Sequence, residues 1–374
     1  MLFRTSPLSL SLAVAAVAAI GLAAGSGCAP DPGVIVSSDV ARDEHPLVAA
    51  ADLDAIAKSE LHVGGALLAD DSAANVLASP HSIVSALAMV YAGARGDTAT
   101  QMRDALLLPD ENVHEAFDAL DLGLAKLNEG DVVVRNANAV WSQLGFHFRA
   151  AYLDVLGKDY GAGVHTLDFA HDAETSRSKI NAWVSYETEG KIPELFPKGT
   201  IDSATRLALT NAIYFHAPWA TSFDAAGNHD FHAASGAASV PFMHVTSDMK
   251  HAVVDDAEAV ELAYANDELS FLLVLPDAGK LDDVVGNVDG SLLADIDDAA
   301  TTEHVDLTMP KLELRTKLDL GDELQELGMI DAFDGRADFS GIDGKQDLAI
   351  HSVVHDAWIL VDEHGTTGAA ATGV

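Results

Sequence analysis

The sequence of 374 residues is poor in cysteine and in basic side chains. Its single cysteine, Cys28, cannot form a disulfide within the chain, so packing must supply the stability of the fold. Lys and Arg number 21 against 58 Asp and Glu, which gives a formal net charge of −37. Nucleic acids and anionic membranes are bound through clustered cations. We therefore expect no nucleic-acid partner and no electrostatic attachment to a membrane.

Motifs that would indicate an enzyme are also missing from the sequence. It contains no Gly-x-Ser-x-Gly, no His-Glu-x-x-His, no phosphate-binding glycine-rich loop and no paired cysteine ligands. His229 and His232 are close in sequence, but a surface turn explains them unless further ligands join them. The sequence therefore predicts a protein that is not an enzyme and that has no cofactor and no metal site.

The N-terminus is typical of an export signal. Arg4 precedes an apolar stretch over residues 8–24, and Gly25-Ser-Gly-Cys28 follows it. The small residues before Cys28 are similar to those before the acylated cysteine of a bacterial lipoprotein, whereas a thiol left by ordinary signal cleavage is the alternative. We expect residues 1–28 to be a signal with Cys28 as the site of lipid attachment.

Residues 29–46 contain Pro30, Pro32 and Gly33 and show no apolar period, which predicts a spacer before the folded domain. The expected location is extracytoplasmic, either secreted or lipid-anchored at the bacterial cell envelope. Any contact with a membrane is then expected only through the N-terminal lipid.

Residues 47–374 show the periodicity of one large domain. Helices first, and then strands interrupted by further helices, predict an α+β fold with large sheets rather than a doubly wound one. The predicted helices cover residues 53–68, 80–90, 98–107, 112–127, 150–156, 173–189 and 318–327, and the predicted strands cover residues 132–141, 207–215, 271–275, 305–309 and 351–362.

The last 24 residues join a strong strand to a segment with almost no side chains. The strand over residues 351–362 is apolar on both faces, which predicts a central position in a sheet. In the segment that follows, Thr366, Gly368, Ala370 and Thr372 would all point the same way if the chain were extended. A segment of such small residues can enter an existing sheet without steric conflict.

Several stretches of residues 47–374 together resemble the serpins, a family of serine protease inhibitors. The stretches are Asn75-Val-Leu-Ala-Ser-Pro80, Ile180-Asn-Ala-Trp183, Thr210-Asn-Ala-Ile-Tyr-Phe215, Val305-Asp-Leu-Thr-Met-Pro-Lys311 and Ala337-Asp-Phe-Ser340. The resemblance implies a serpin fold with about nine helices around three β-sheets, including a large central sheet A. It also implies that the scissile bond lies beyond Val374 and that the family's C-terminal strands are missing, so we expect a single serpin domain that is incomplete at its C-terminus.

The resemblance assigns roles to particular residues of the chain. Trp219 falls at the breach, where the reactive-centre loop first enters the main sheet. The polar shutter beneath that sheet falls on Ser79, Ser82, Asn211 and His355, and the loop's hinge falls on Glu363, Gly365, Thr366, Thr367, Gly368, Ala369, Ala370, Ala371 and Thr372. Taken without the resemblance, Ser79 is an ordinary helix cap and His355 a hydrogen-bonded core histidine.

The implied activity is inhibition of a serine or cysteine protease by a monomer, through cleavage of the loop and its insertion into the main sheet. The uncharged Thr366 favours this because a charge there would be buried unpaired. Gly368 departs from the pattern, since inhibitory members usually carry Ala at that point. The alternatives are a non-inhibitory serpin-fold binding or structural protein and an inactive truncated fragment.

Overall fold

The structure is a computed structural model that describes residues 34–36, 40–69, 75–233, 236–288 and 290–374. The predicted signal and Cys28 lie outside these residues. The α-helices are α1 Ala50–Ala69, α2 Pro80–Tyr91, α3 Gly96–Ala105, α4 Val113–Lys126, α5 Ala150–Tyr160, α6 Phe169–Glu187, α7 Leu281–Gly286, α8 Gly290–Ala299, α9 Gly321–Glu326 and α10 Ser340–Asp343. The β-strands are β1 Val34–Val36, β2 Val133–Gln143, β3 Gly163–Leu167, β4 Leu207–Pro218, β5 Asp224–Ala233, β6 Gly236–Val254, β7 Ala257–Ala263, β8 Ser270–Pro276, β9 Thr301–Pro310, β10 Leu312–Asp319, β11 Val354–Val361 and β12 Gly365–Gly373.

A seven-stranded sheet forms the centre of the molecule, with the strand order β1-β3-β2-β4-β12-β11-β10. The pair β2 and β3 is parallel, and all the other neighbours are antiparallel. β11 has β12 on one side and β10 on the other, which confirms the predicted central strand. The small-residue segment that follows it is therefore itself an internal strand of this sheet.

Helix α2 places polar side chains from its first turn against the central sheet. Its first turn is capped by Ser79, whose Oγ accepts a hydrogen bond from the Ser82 backbone N–H at 3.4 Å, and Pro80 occupies a position that tolerates proline. Every residue from 80 to 90 is buried. Because α2 packs against both β4 and β12, the serines of its first turn face the sheet.

The α+β class and the large central sheet are confirmed, but the count of sheets differs from the expectation. Among the described residues the remaining strands form one sheet of five strands. The reason is the 19-residue strand β6, which pairs with β5, then with β9, and finally with β7 along its length. One long strand thus joins the two smaller sheets that were expected to be separate. The described residues also hold ten α-helices, against about nine expected.

One predicted boundary is corrected by the structure. The helix predicted over residues 318–327 begins only at Gly321, because Leu318 lies in β10 and pairs with His355. In α6, residues 169–171 form a turn that the Asp168 side chain caps by accepting a hydrogen bond from the His171 backbone N–H at 3.3 Å. Asp172 then interrupts the helical backbone with φ −143° and ψ 55°. The main part of α6 follows Asp172, in agreement with the helix predicted from residue 173.

The segment predicted as a spacer, residues 29–46, is in part a component of the fold. Val34–Val36 adds an antiparallel edge strand, β1, to the central sheet. Arg42 then pairs with Asp118 on α4 at 2.8 Å and also contacts Asp121. The prediction missed this because three strand residues and one ion pair leave no periodic signal. In the described part of the chain no helix has the length and apolarity needed to cross a membrane.

Candidate functional site

The segment implied to be the reactive-loop hinge is β12, and its backbone pairs along both edges. Residues 365–373 are in register with β4, and residues 366–373 with β11. Thr366 and Thr372 point toward one face of the sheet, where they bond Tyr264 and Ser82. Ala369 and Ala371 pack on the opposite face, in the apolar cluster that contains Phe196. The predicted alternation of side chains along this segment is confirmed.

Glycine is required at both ends of β12 because neighbouring groups approach the backbone closely. A Cβ added to Gly365 would lie 2.2 Å from the carbonyl oxygen of Ala217. A Cβ added to Gly373 would lie 2.3 Å from the ring of Phe196. The sequence analysis missed the role of Gly373, since the ring that covers it is 177 residues away in the chain.

Three of the four expected shutter residues meet the end of β12. The Ser79 backbone N–H donates to His355 Nε2 at 3.0 Å, so this ring nitrogen is an acceptor and Nδ1 carries the proton. Nδ1 lies 2.8 Å from Thr372 Oγ1, to which it donates. Thr372 Oγ1 is in turn 3.0 Å from Ser82 Oγ. The result is a continuous buried chain of hydrogen bonds that includes Thr372 of β12.

Asn211, the fourth expected shutter residue, lies beside this chain of bonds rather than within it. It is the Cα partner of Thr372 across β4 and β12. Its amide nitrogen donates to Asn136 Oδ1 at 2.6 Å and to Asn138 Oδ1 at 3.0 Å, both on β2. Its own Oδ1 is buried and has no hydrogen-bond partner among the described residues. Nothing in the local sequence indicates Asn136 as a partner of Asn211.

The expected breach residue, Trp219, lies where β12 begins. Its indole N–H donates to the carbonyl oxygen of Asp362 at 2.8 Å, and its ring stacks on Tyr264 with the centroids 4.8 Å apart. The Tyr264 hydroxyl donates to Thr366 Oγ1 at 2.7 Å, and burial raises the pKa of Tyr264, which keeps it protonated. The sequence analysis did not identify Tyr264, because nothing in its local sequence indicates this contact.

Glu363, at the start of the implied hinge, is held by an ion pair with Lys311. The hydrogen bond from the Lys311 ammonium keeps the pKa of the Glu363 carboxyl below its ordinary value. Glu363 therefore lies just before β12, and the uncharged residues from Gly365 onward lie within the sheet.

A cleft lies at the end of β12 and is lined in part by Val374. The backbone N–H and C=O of Val374 both bond Leu209 at 2.9 Å. The cleft has a volume of about 310 Å³, and its lining also includes Leu207 on β4, Ile350 and Ser352.

The pH dependence of stability should report the buried state of His355. Burial lowers the pKa of His355 to about 3, from 6.5 for an exposed imidazole. Between these values the unfolded chain binds more protons, so the free energy of unfolding should fall as the pH drops from 6.5 toward 3. We expect a contribution of about 1.4 kcal/mol per pH unit, measured by urea unfolding.

A variant comparison isolates this contribution. His114 is also buried with a pKa lowered to about 4, whereas burial raises the pKa of Asp159 to about 6, with the opposite sign. The difference in the free energy of unfolding between the wild type and His355→Gln does not contain these two contributions, because His114 and Asp159 are present in both proteins. A difference that does not change between pH 6.5 and 4 would contradict a neutral, buried His355.

Gly368→Ala should stabilise the protein. Gly368 borders a small cavity of about 20 Å³ lined by Leu77, Ile213, Phe215 and Ile359. An alanine methyl group fills part of this space, and the substitution also reduces the conformational entropy of the unfolded chain. We expect the free energy of unfolding to rise by about 1 kcal/mol in urea titrations. The control Ala371→Gly, which is buried on the opposite face of β12 and does not line this cavity, should lower it. A loss of stability in Gly368→Ala would refute the assigned cavity.

Comparison with known proteins places this geometry in a family. A family model described as Serpin (serine protease inhibitor) matches residues 61–374. An uncharacterized serpin-like protein of Thermococcus kodakarensis is 38% identical over 304 residues, which are 80% of this chain and 71% of that protein. Human Serpin B9 is 36% identical over 321 residues, 82% of this chain and 84% of the relative. Bovine leukocyte elastase inhibitor is 35% identical over 314 residues, 80% and 83% of the two chains.

Solved structures with the same fold include cleaved forms. Emu ovalbumin superposes with a TM-score of 0.81 at 25% identity, over 86% of this chain and 89% of that one. Cleaved Serpin 42Da gives a TM-score of 0.80 at 28% identity, over 87% and 90%. The family model matches residues 61–374, and the Thermococcus kodakarensis and human relatives are 38% and 36% identical to this chain, so the chain belongs to the serpin family.

Proposed function

We propose that this serpin inhibits a serine or cysteine protease by inserting β12 into its central sheet after the protease has cleaved the loop that follows. The observation that carries the proposal is the pairing of β12 along both edges between β4 and β11. Every residue of this strand except Thr367 is buried, and none is charged. A strand with this composition can leave solvent for the sheet without burying a charge.

The energetics favour insertion once the loop is free. Each ladder hydrogen bond contributes about 1 kcal/mol net, and β12 is bonded on two sides. Burial of the two threonines costs little, because Thr366 and Thr372 exchange their bonds to water for bonds to Tyr264 and His355 in the sheet. The conformation before cleavage must then be kinetically trapped, as in the known loop insertion of serpins.

The names of relatives support the protease as partner. One of the similar proteins is called a leukocyte elastase inhibitor. For this chain we infer a monomer that acts outside the cytoplasm, with Cys28, which lies outside the described residues, as the point of lipid attachment.

The test of the proposed function is a covalent complex. A form of the protein that carries a complete reactive-centre loop is incubated with trypsin, chymotrypsin, elastase and subtilisin. We expect a complex with at least one of them that survives denaturing electrophoresis. The matched control is a chain of residues up to Val374, which should form none because the family resemblance puts the attacked bond after that residue. Cleavage of the loop without any stable complex would refute the inhibitory mechanism.

A further inference from the structure

A second buried histidine lies beside the sheet, separate from His355. His81 on α2 is 4% exposed, and its Nδ1 is 2.9 Å from Oε1 of Glu60 on α1, which is also buried. On the other side of the ring, Nε2 lies 3.3 Å from Nδ2 of Asn136 on β2. His81 therefore bridges a carboxylate between two helices and an amide of the central sheet.

The hydrogen bonds of Asn211 determine the direction of this bridge. Asn136 Oδ1 accepts from the Asn211 amide at 2.6 Å, so the nitrogen of Asn136 faces His81. Nε2 of His81 must then accept, and Nδ1 carries the proton that is donated to Glu60. Donation runs in one direction, from Asn211 through Asn136 and His81 to Glu60.

The carboxylates around His81 favour the protonated form of its imidazole. From α1 the facing charge is Glu60, and from α4 the nearby carboxylates are Asp118 and Asp121, both paired with Arg42. The groups presented by β2, β4 and β12 are neutral: Asn136, Asn211 and Thr372. Burial alone would lower the pKa of His81, but the charge of Glu60 and its hydrogen bond raise it above the ordinary value.

Protonation of His81 would reverse the hydrogen bonds of this bridge. Nε2 becomes a donor and faces the donor nitrogen of Asn136, and a rotation of the Asn136 amide removes this conflict. The Asn136 nitrogen then faces Asn211, which must rotate as well and present its Oδ1. That atom is the buried acceptor with no partner among the described residues. The rotation also takes the Asn211 nitrogen away from Asn138.

We propose that His81 is a proton sensor and that Asn136 and Asn211 transmit its protonation state to β12, where Thr372 is the Cα partner of Asn211. Acidification weakens the contacts of β2 with β4 beside the inserted strand and so disfavours insertion. His355 does not perform this role, since its ring bonds Ser79 and Thr372 instead. The regulatory consequence rests on the proposed function, whereas the hydrogen-bond relay does not.

NMR of the ¹⁵N-labelled chain tests the relay directly. Between about pH 5 and 8, the imidazole nitrogens of His81 and the side-chain amides of Asn136 and Asn211 should shift with one common midpoint. In Glu60→Gln that midpoint should move to lower pH by about one unit or more, while the exposed-site control His171→Gln leaves it unchanged. An Asn211 amide that does not move while His81 titrates would overturn the proposal.

Hydrogen exchange tests the link to β12. Protection factors of the β12 amides, corrected for the intrinsic exchange rate, should fall when His81 is protonated in the wild type. In His81→Gln, which keeps a donor and an acceptor but does not titrate, they should stay constant. Equal pH dependence in both proteins would overturn the link. These measurements involve no protease, so the relay and the inhibitory function can fail independently of each other.

Discussion

Thr366→Arg should convert the protein from an inhibitor into a substrate of its target protease. Thr366 is 1% exposed in β12, and its hydroxyl accepts a hydrogen bond from Tyr264. The ring of Tyr264 stacks on the ring of Trp219. A guanidinium at this position would be buried without a carboxylate partner, at a cost of several kcal/mol. Insertion would then begin too slowly to trap the protease before the acyl-enzyme is hydrolysed.

The measurement is the number of inhibitor molecules consumed for each protease molecule inactivated, using a form of the protein that carries a complete reactive-centre loop. We expect this number to rise at least about tenfold, since 1.4 kcal/mol in a barrier already changes a rate by that factor. The matched control is Thr367→Arg. Thr367 is only half-buried and bonds His216 on the opposite face, so its arginine can reach solvent. Equal stoichiometry in Thr366→Arg and the wild type would refute insertion as the inhibitory step.

Gly365→Ala should destabilise the inserted strand strongly. The new Cβ would lie 2.2 Å from the Ala217 carbonyl oxygen and 2.7 Å from Cα of Pro218. Both are backbone atoms of β4, which cannot move aside as a flexible side chain could. The start of β12 would have to shift, and this would disturb the 3.0 Å bond from the Trp219 backbone N–H to the His364 carbonyl.

For Gly365→Ala we expect a loss of about 3 kcal/mol in the free energy of unfolding, measured by urea titration of the chain that ends at Val374. The control is Gly335→Ala, an exposed position where an added Cβ meets no atom within 4 Å and φ is not positive. If Gly365→Ala unfolded at the same urea concentration as the wild type, β12 would not approach β4 as closely as the structure indicates.

The elements that could be predicted are those with a long local period. The second helix was expected over residues 80–90 and is Pro80–Tyr91, because its apolar side recurs at helical spacing and Ser79-Pro80 marks its start. The periodicity does not predict strands β1, β3, β5, β6, β7 and β10. β10 alternates half-buried and exposed residues, and β6 is exposed along much of its length, so neither resembles a buried strand in sequence.

For the candidate site, composition and family resemblance contributed different parts. The small, uncharged residues from 366 to 372 predict by themselves that this segment can enter a sheet. The shutter and breach roles of Ser79, Ser82, Asn211 and Trp219 came from the resemblance, and as functional roles they remain predictions. The structure adds the contacts made by these residues, among them the bonds of Tyr264 and Thr372.

The sequence by itself determined that the chain has a large α+β domain and ends in a segment fit for insertion, since both follow from local periodicity and side-chain size. Only the tertiary structure decided which groups meet across the sheet. Ser82 and Thr372 are 290 residues apart in the chain, and His81 and Asn136 are 55 apart. Such pairs are set by strand register and helix packing, which bring together residues whose local sequences carry no record of each other.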